Sequence, residues 1–262
     1  MKTTFASLSL LCCASLMAEP FTSELSLDRF DTNYDVFTSH TLGYRYFVPG
    51  AERQQPLPYA AYTTFAGRSS VSANYMVTDF SWRYFGLDYS ERFKAWQVGG
   101  IYQSNEHNLY ASLQHSQMIS GSGNRTQGKL GYYVQDNWLV TVDVEHEKFS
   151  GGSNYWHTGI STEKLWALHN GHFIGFDFGY LRARGPRRDG WDLGVDYYIG
   201  KPLSFGVFAT RDRESHYLVS TNRLGVRSQW FITPSIQLRG SLSLEDKSDS
   251  EYAWDLGVSW RF

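Results

Sequence analysis

The chain has 262 residues, 42% of them hydrophobic and 17% aromatic, with 24 Lys and Arg against 26 Asp and Glu. A formal net charge of −2 is near neutral and argues against nucleic acid or an anionic surface as a general partner. After the N-terminus no stretch holds the roughly 18 apolar residues a membrane helix needs, and the wealth of Tyr, Phe, Trp and Gly departs from the make-up of a soluble helical domain.

The N-terminus carries Lys2, an uncharged apolar stretch from Phe5 to Met17, and Ala18 before Glu19 and Pro20. That is the pattern of a cleaved secretory signal over residues 1–18, leaving a single domain over 19–262. Leu16, three positions before the break, is larger than ideal, so the cut can shift by a residue or two. The stretch is too short for a spanning helix. Both cysteines, Cys12 and Cys13, fall inside it, without the small residue a lipoprotein site requires before the cysteine. The mature chain therefore offers neither disulfides nor thiolate chemistry.

From Phe21 onward the dominant signal is alternation. In the first third it predicts strands near 21–30, 38–48 and 68–80, with Pro49 to Gly67 as a linking segment and Phe80 to Arg92 as an extended outer loop, expected as a hairpin standing above the membrane rather than folded inward. Further strands follow near 93–103, 107–117, 124–134, 138–149, 155–168, 173–183, 190–199, 203–213, 217–231, 235–245 and 251–262. Trp138, Val140, Val142 and Val144 oppose Thr141, Asp143, Glu145 and Glu147; Trp191, Leu193, Val195 and Tyr197 oppose Asp192, Gly194 and Asp196. The last segment sets Tyr252, Trp254, Leu256, Val258, Trp260 and Phe262 against Glu251, Asp255, Ser259 and Arg261. Period two means one apolar and one polar face on each strand.

In a soluble sandwich the apolar face would form the core. In a membrane barrel it meets lipid, and the polar face lines a wet interior. Strands of about 10 residues suit a tilted crossing. Aromatics gather near segment ends, as interfacial girdles require: Tyr132, Tyr133, Trp138, Tyr155, Trp156, Trp166, Trp191, Trp230 and Trp260. Short turns at Gln135 to Asn137, His169 to His172, Gly200 to Pro202 and Thr233 to Pro234 alternate with longer polar links, the asymmetry of periplasmic turns and external loops. The expected fold is an all-β, antiparallel up-and-down transmembrane barrel of about 14 strands, with 12 or 16 as alternatives.

One stretch carries more than rhythm. Tyr46-Phe47-Val48-Pro49, then Pro56-Leu57, Ala60-Ala61 and Phe65, then Arg68-Ser69-Ser70-Val71-Ser72-Ala73, resembles the N-terminal signature of a family of general bacterial porins from proteobacteria. The chain departs from that pattern at Tyr59, where an acidic residue is usual, and at Thr63-Thr64. The resemblance implies a Gram-negative outer-membrane location and a channel role, without naming a solute. The C-terminal strand, with Trp260 and the final Phe262, resembles the assembly signal of outer-membrane proteins. It implies the barrel assembly machinery, outer-membrane lipid and lipopolysaccharide as partners. Nothing marks an oligomer face.

On this register one wall presents Asp143, Glu145, Glu147, Asp177, Asp192 and Asp196, and another Arg223, Arg227, Arg239 and Arg261. Opposed acidic and basic walls would set a transverse field across a wet pore, so passive transport of small hydrophilic solutes past these residues is the expected function. The alternative is an interior plugged by paired charges or by the segment Pro49 to Gly67, giving a structural or adhesive barrel. A hydrolase needs a positioned nucleophile and base. Alternation puts His146 on the face opposite Asp143, Glu145 and Glu147, His169 and His172 flank an Asn-Gly turn, and His115 and His216 lack an evident partner. No catalytic residue, cofactor or metal-ligand spacing is assigned.

Overall fold

The computed structural model describes residues 21–32, 37–50, 56–84, 87–119, 123–149, 154–184, 189–214, 219–246 and 251–262. The expected secretory signal lies outside these residues, as do parts of the expected external links. Fourteen antiparallel strands follow one another in chain order: β1 Ser23–Thr32, β2 Phe37–Phe47, β3 Ser70–Tyr84, β4 Leu87–Ser104, β5 Leu109–Met118, β6 Gly123–Gln135 and β7 Trp138–Phe149. The second half holds β8 Asn154–Ala167, β9 Phe173–Arg184, β10 Gly190–Ile199, β11 Leu203–Glu214, β12 Val219–Thr233, β13 Ile236–Glu245 and β14 Glu251–Arg261. Each strand pairs with its sequence neighbours, and β14 pairs with β1 to close the barrel. Ser23 N–H donates to the Phe262 carbonyl at 2.8 Å and Phe262 N–H to the Ser23 carbonyl at 2.9 Å. Closure leaves no strand edge to satisfy.

Alternation sets what faces where. On β7, Val140, Val142 and Val144 stay exposed while Thr141, Asp143, Glu145 and Glu147 are buried. Leu25, Leu27, Leu113, Leu130, Ile160, Val207, Leu224, Val226, Leu242 and Leu256 continue the exposed apolar face around the barrel. Apolar surface on that scale is not left to water in a soluble monomer. It is a lipid-facing belt, and the buried polar residues belong to the interior.

The first third extends its expectation in one place. Phe80 to Arg92 belongs to an extended hairpin: β3 and β4 pair from Ser70↔Ile101 to Tyr84↔Leu87. The inter-strand ladder runs on through both strands and makes this the longest hairpin among the described residues. The strand count stays at fourteen because the extension adds length to two strands rather than a new crossing.

At the end carrying both termini, the periplasmic side by its short turns, the strand ends obey a second rule. Phe47, Tyr133, Leu139, Leu165, Phe173 and Phe231 are buried there and point inward, against the apolar-out pattern. They do so because the link between β2 and β3 enters the barrel. Its Tyr59–Ala61 forms one 3-10 turn, followed by the single helical turn α1 Tyr62–Phe65. Leu57, Ala61, Phe65 and Ala66 of this segment form one apolar cluster with Tyr133, Leu139, Leu165 and Phe173 of the wall. The chain leaves through Gly67 at φ +76, where a Cβ would collide with the Asn105 side chain; only glycine fits. At the β8–β9 turn Asn170 and Gly171 both take positive φ, the geometry that favours Asn-Gly in tight hairpins.

Candidate functional site

The interior has a floor and a charged upper region. The inserted segment crosses the periplasmic mouth and is tied to both sides of the barrel. On one side Tyr59 N–H donates to the Lys201 carbonyl at 3.0 Å, and its ring packs on Phe231 at 5.4 Å. On the other side the Gln103 amide donates to the Thr63 carbonyl at 2.8 Å, and the Tyr133 hydroxyl donates to the Thr64 carbonyl at 2.5 Å. Two arginines fasten its flanks. Arg68 donates to the Phe21 carbonyl at 2.8 Å and lies over the Phe47 ring at 5.2 Å. Arg261 pairs with Glu24 at 2.7 Å between the rings of Phe21 and Phe231. Flat guanidinium groups against aromatic faces suit such a half-dry position.

Above the floor, cavities follow the polar face. One of about 630 Å³ rests on Ala60 and Thr63 of the segment and is bounded by Glu24, Asp28, Arg45, Arg239, Asp255 and Arg261. A second of about 630 Å³ is bounded by Arg125, Lys129, Asp143, Glu163, Asp192 and Arg223. A third of about 430 Å³ sets the amides and hydroxyl of Asn74, Gln97, Gln114, Ser116 and Gln127 beside Met76, Trp96 and Met118.

The expected charged residues fall on the inner face, but not as two opposed walls. Arg227 on β12 reaches across β11 to Asp196 on β10, with bonds of 2.9 and 2.6 Å, and on to Asp177 of β9. Gly194 lies beneath the guanidinium; a side chain at that position would collide with both Arg227 and Asp177. Arg239 pairs with Asp28 at 2.5 Å across the closing strands, and Arg223 with Glu245 at 2.5 Å. The acidic strand β7 has its own counter-charges on β6: Lys129 stands 3.3 Å from Asp143, and Arg125 contacts both Glu145 and Glu147. Pairing therefore runs along the wall between near neighbours. Among the described residues the separated acidic and basic walls give way to local ion pairs, because charges on nearby strands approach to bonding distance. Asp192 stays exposed on the inner face.

Sequence reasoning misplaced some aromatics and missed one histidine. Tyr132, Trp156, Trp166 and Trp230 are exposed on the outer face, as girdle residues are. Tyr133 is buried under the inserted segment, and Tyr155 shares the inner face of its register partner Glu147. His115 is the register partner of outward Val98, bonded to Thr126 at 2.8 Å, and His146 stacks on outward Trp156 with ring centroids 4.5 Å apart. Neither faces the interior. His216 lies outside the described residues. The missed histidine is His157, buried on the inner face directly opposite Glu145; only the β7–β8 register brings it there. At the C-terminus Trp260 and Phe262 stack at 4.5 Å, with Phe262 exposed.

Among solved structures, the outer membrane protein Omp33 of Acinetobacter baumannii is similar at 16% identity, over 92% of this chain and 98% of that one, with a TM-score of 0.69. A bacterial polysaccharide outer membrane secretin is similar at 12% identity, over 92% and 98%, with a TM-score of 0.52. The low-pH structure of Pseudomonas putida OprB is similar at 6% identity, over 92% of each chain, with a TM-score of 0.51. These likenesses concern the fold. No curated protein matches the sequence significantly. A family model described as "Putative general bacterial porin" matches residues 1–155, more than half of the chain. The protein is thus an outer-membrane β-barrel of the general bacterial porin family, and family and fold together point to a channel.

Proposed function

We propose that the barrel is a passive diffusion channel for small hydrophilic solutes. The route passes Asp143, Glu145, Glu147, Asp177, Asp192, Asp196, Arg223, Arg227, Arg239 and Arg261, and the inserted segment 56–67 narrows its periplasmic mouth. The observation that carries this reading is the polar inner face with its cavities standing directly above the segment. Laterally paired charges leave little net field along the wall. That suits neutral polar solutes such as small sugars, which exchange water hydrogen bonds for bonds to the paired groups and amides without crossing a single-sign barrier.

The test is reconstitution. Planar bilayers are expected to show discrete conductance steps, and liposome swelling is expected to fall off steeply with increasing sugar size. Purified, folded protein that gives neither steps nor swelling would sink the proposal. One observation favours a second reading, a closed structural barrel: the apolar cluster that seats Leu57, Ala61, Phe65 and Ala66 against four strands. In that case conductance appears only once the segment's side chains are removed.

A further inference from the structure

The outer half of the interior holds a cluster whose chemistry goes beyond lining a solute path. Glu145 and Glu147 are two residues apart on β7, so both reach the inner face. The antiparallel register sets His157 of β8 opposite Glu145. One ligand atom from each of the three lies within 4.8 Å of the others.

The polar bookkeeping here is incomplete. His157 is 2% exposed, and neither of its ring nitrogens has a hydrogen-bond partner. Glu145 is 0% exposed, and its Oε1 is likewise unpartnered. Buried imidazole and carboxylate atoms without partners carry a desolvation cost that a native structure normally offsets. A shared metal ion would take one imidazole nitrogen of His157 together with the carboxylate of Glu145. His157 Nε2 stands 3.5 Å from Glu147 Oε2, long for a hydrogen bond. It is close to the roughly 3.3–3.4 Å between two ligands held tetrahedrally at about 2.0–2.1 Å from a metal.

We propose that Glu145, Glu147 and His157 bind one divalent transition-metal cation of the zinc type, with the fourth position open to lumen water. The donor set decides the class. One imidazole nitrogen and two carboxylates suit zinc, whereas magnesium and calcium favour all-oxygen shells. Arg125 is the resident counter-charge: it contacts both carboxylates, and its side chain is 43% exposed toward the cavity it lines. An incoming dication neutralises the two carboxylates that Arg125 neutralises only in part. The guanidinium is then free to turn into the lumen, while Lys129 and Asp143, one rung below, keep their own pairing.

Titration calorimetry of the tag-free, refolded barrel in detergent with zinc chloride tests this without any need for conductance, so its failure and that of the channel reading are distinguishable. One zinc per barrel is expected. His157→Ala is expected to weaken it at least about tenfold, since even residues that merely orient ligands contribute on the order of 10–100-fold. Glu147→Gln serves as an independent second variant, with heat-modifiable migration in gels checking that each barrel is folded. Arg125→Gln is expected to tighten zinc by about tenfold, because a competing cation is removed. Magnesium and calcium are expected not to compete. No zinc binding to the folded wild type would overturn the proposal. So would unchanged affinity in both His157→Ala and Glu147→Gln, which would assign the ion to surface histidines such as His169 and His172.

Discussion

The two ends of this barrel solve opposite problems with the same strands. At the periplasmic end the inner face is apolar, and it closes on a chain segment through a small core of the kind found in soluble domains: Phe65 and Tyr133, at 4% and 1% exposure, sit at its centre. Toward the outside the inner face is ionic, and side chains project from the wall with cavities between them. The outer surface barely changes between the two, because lipid imposes one demand along the whole height. The inside of a barrel is therefore free to vary where the outside is not. In this chain that freedom builds a floor and a lined chamber above it.

The comparison breaks most plainly if the floor is dissolved. Replacing residues 56–66 by an equal number of Gly and Ser keeps the link but removes the apolar side chains and the Tyr59 ring. Single-channel conductance is expected to rise roughly threefold as the narrowest section widens, while β1 to β14 stay paired. An unchanged conductance would show that ions already pass beside the segment and that the floor is not the constriction. A smaller effect tests the chamber. Arg227→Ala leaves Asp177 and Asp196 facing each other without their shared cation. Because Arg227 is partly exposed, the cost is expected at about 2–3 kcal/mol, below that of a fully buried pair, read as a lower urea midpoint for unfolding. In bilayers the same variant is expected to shift selectivity toward cations. Selectivity that does not move would place Arg227 off the conducting path.

How much of this was legible in the sequence follows from the same division. The outer face was, because lipid enforces strict period two and every strand repeats it; even the link from Pro49 to Gly67 stood out by its prolines. The inner face was legible only as polarity. Ion pairing depends on which strands approach, so Arg227 with Asp196 and Asp177, or His157 opposite Glu145, needed the register as well as the pattern. The floor did leave one trace. Tyr46-Phe47, Tyr132-Tyr133, Trp138-Leu139, Leu165-Trp166 and Trp230-Phe231 are adjacent large apolar residues at periplasmic strand ends. Alternation cannot send both members of such a pair to lipid. One belongs to the girdle, and the other needs something apolar inside the barrel. Counting both Tyr132 and Tyr133 as girdle residues overlooked that constraint. For Phe80 to Arg92, how far the β3–β4 ladder extends needed the register as well as the pattern.

That pair also supplies the finest test of the comparison. Tyr132 and Tyr133 are chemically identical and consecutive, yet one is 51% exposed on the lipid side and the other is buried under the floor. Removing the hydroxyl of Tyr133 as Phe keeps the ring in the apolar cluster and deletes its bond to the Thr64 carbonyl. A single buried hydrogen bond of this kind is worth about 1 kcal/mol, too little to unfold a fourteen-strand barrel. It is enough to raise the population of a displaced floor about fivefold, since about 1.4 kcal/mol corresponds to tenfold. The expected result is more frequent excursions to the high-conductance level, with the level itself unchanged. Tyr132→Phe touches only the lipid-facing girdle and is expected to leave the record as it was. If both variants change the traces equally, the floor is not held by this contact, and the inner and outer faces are less independent than the alternation implies.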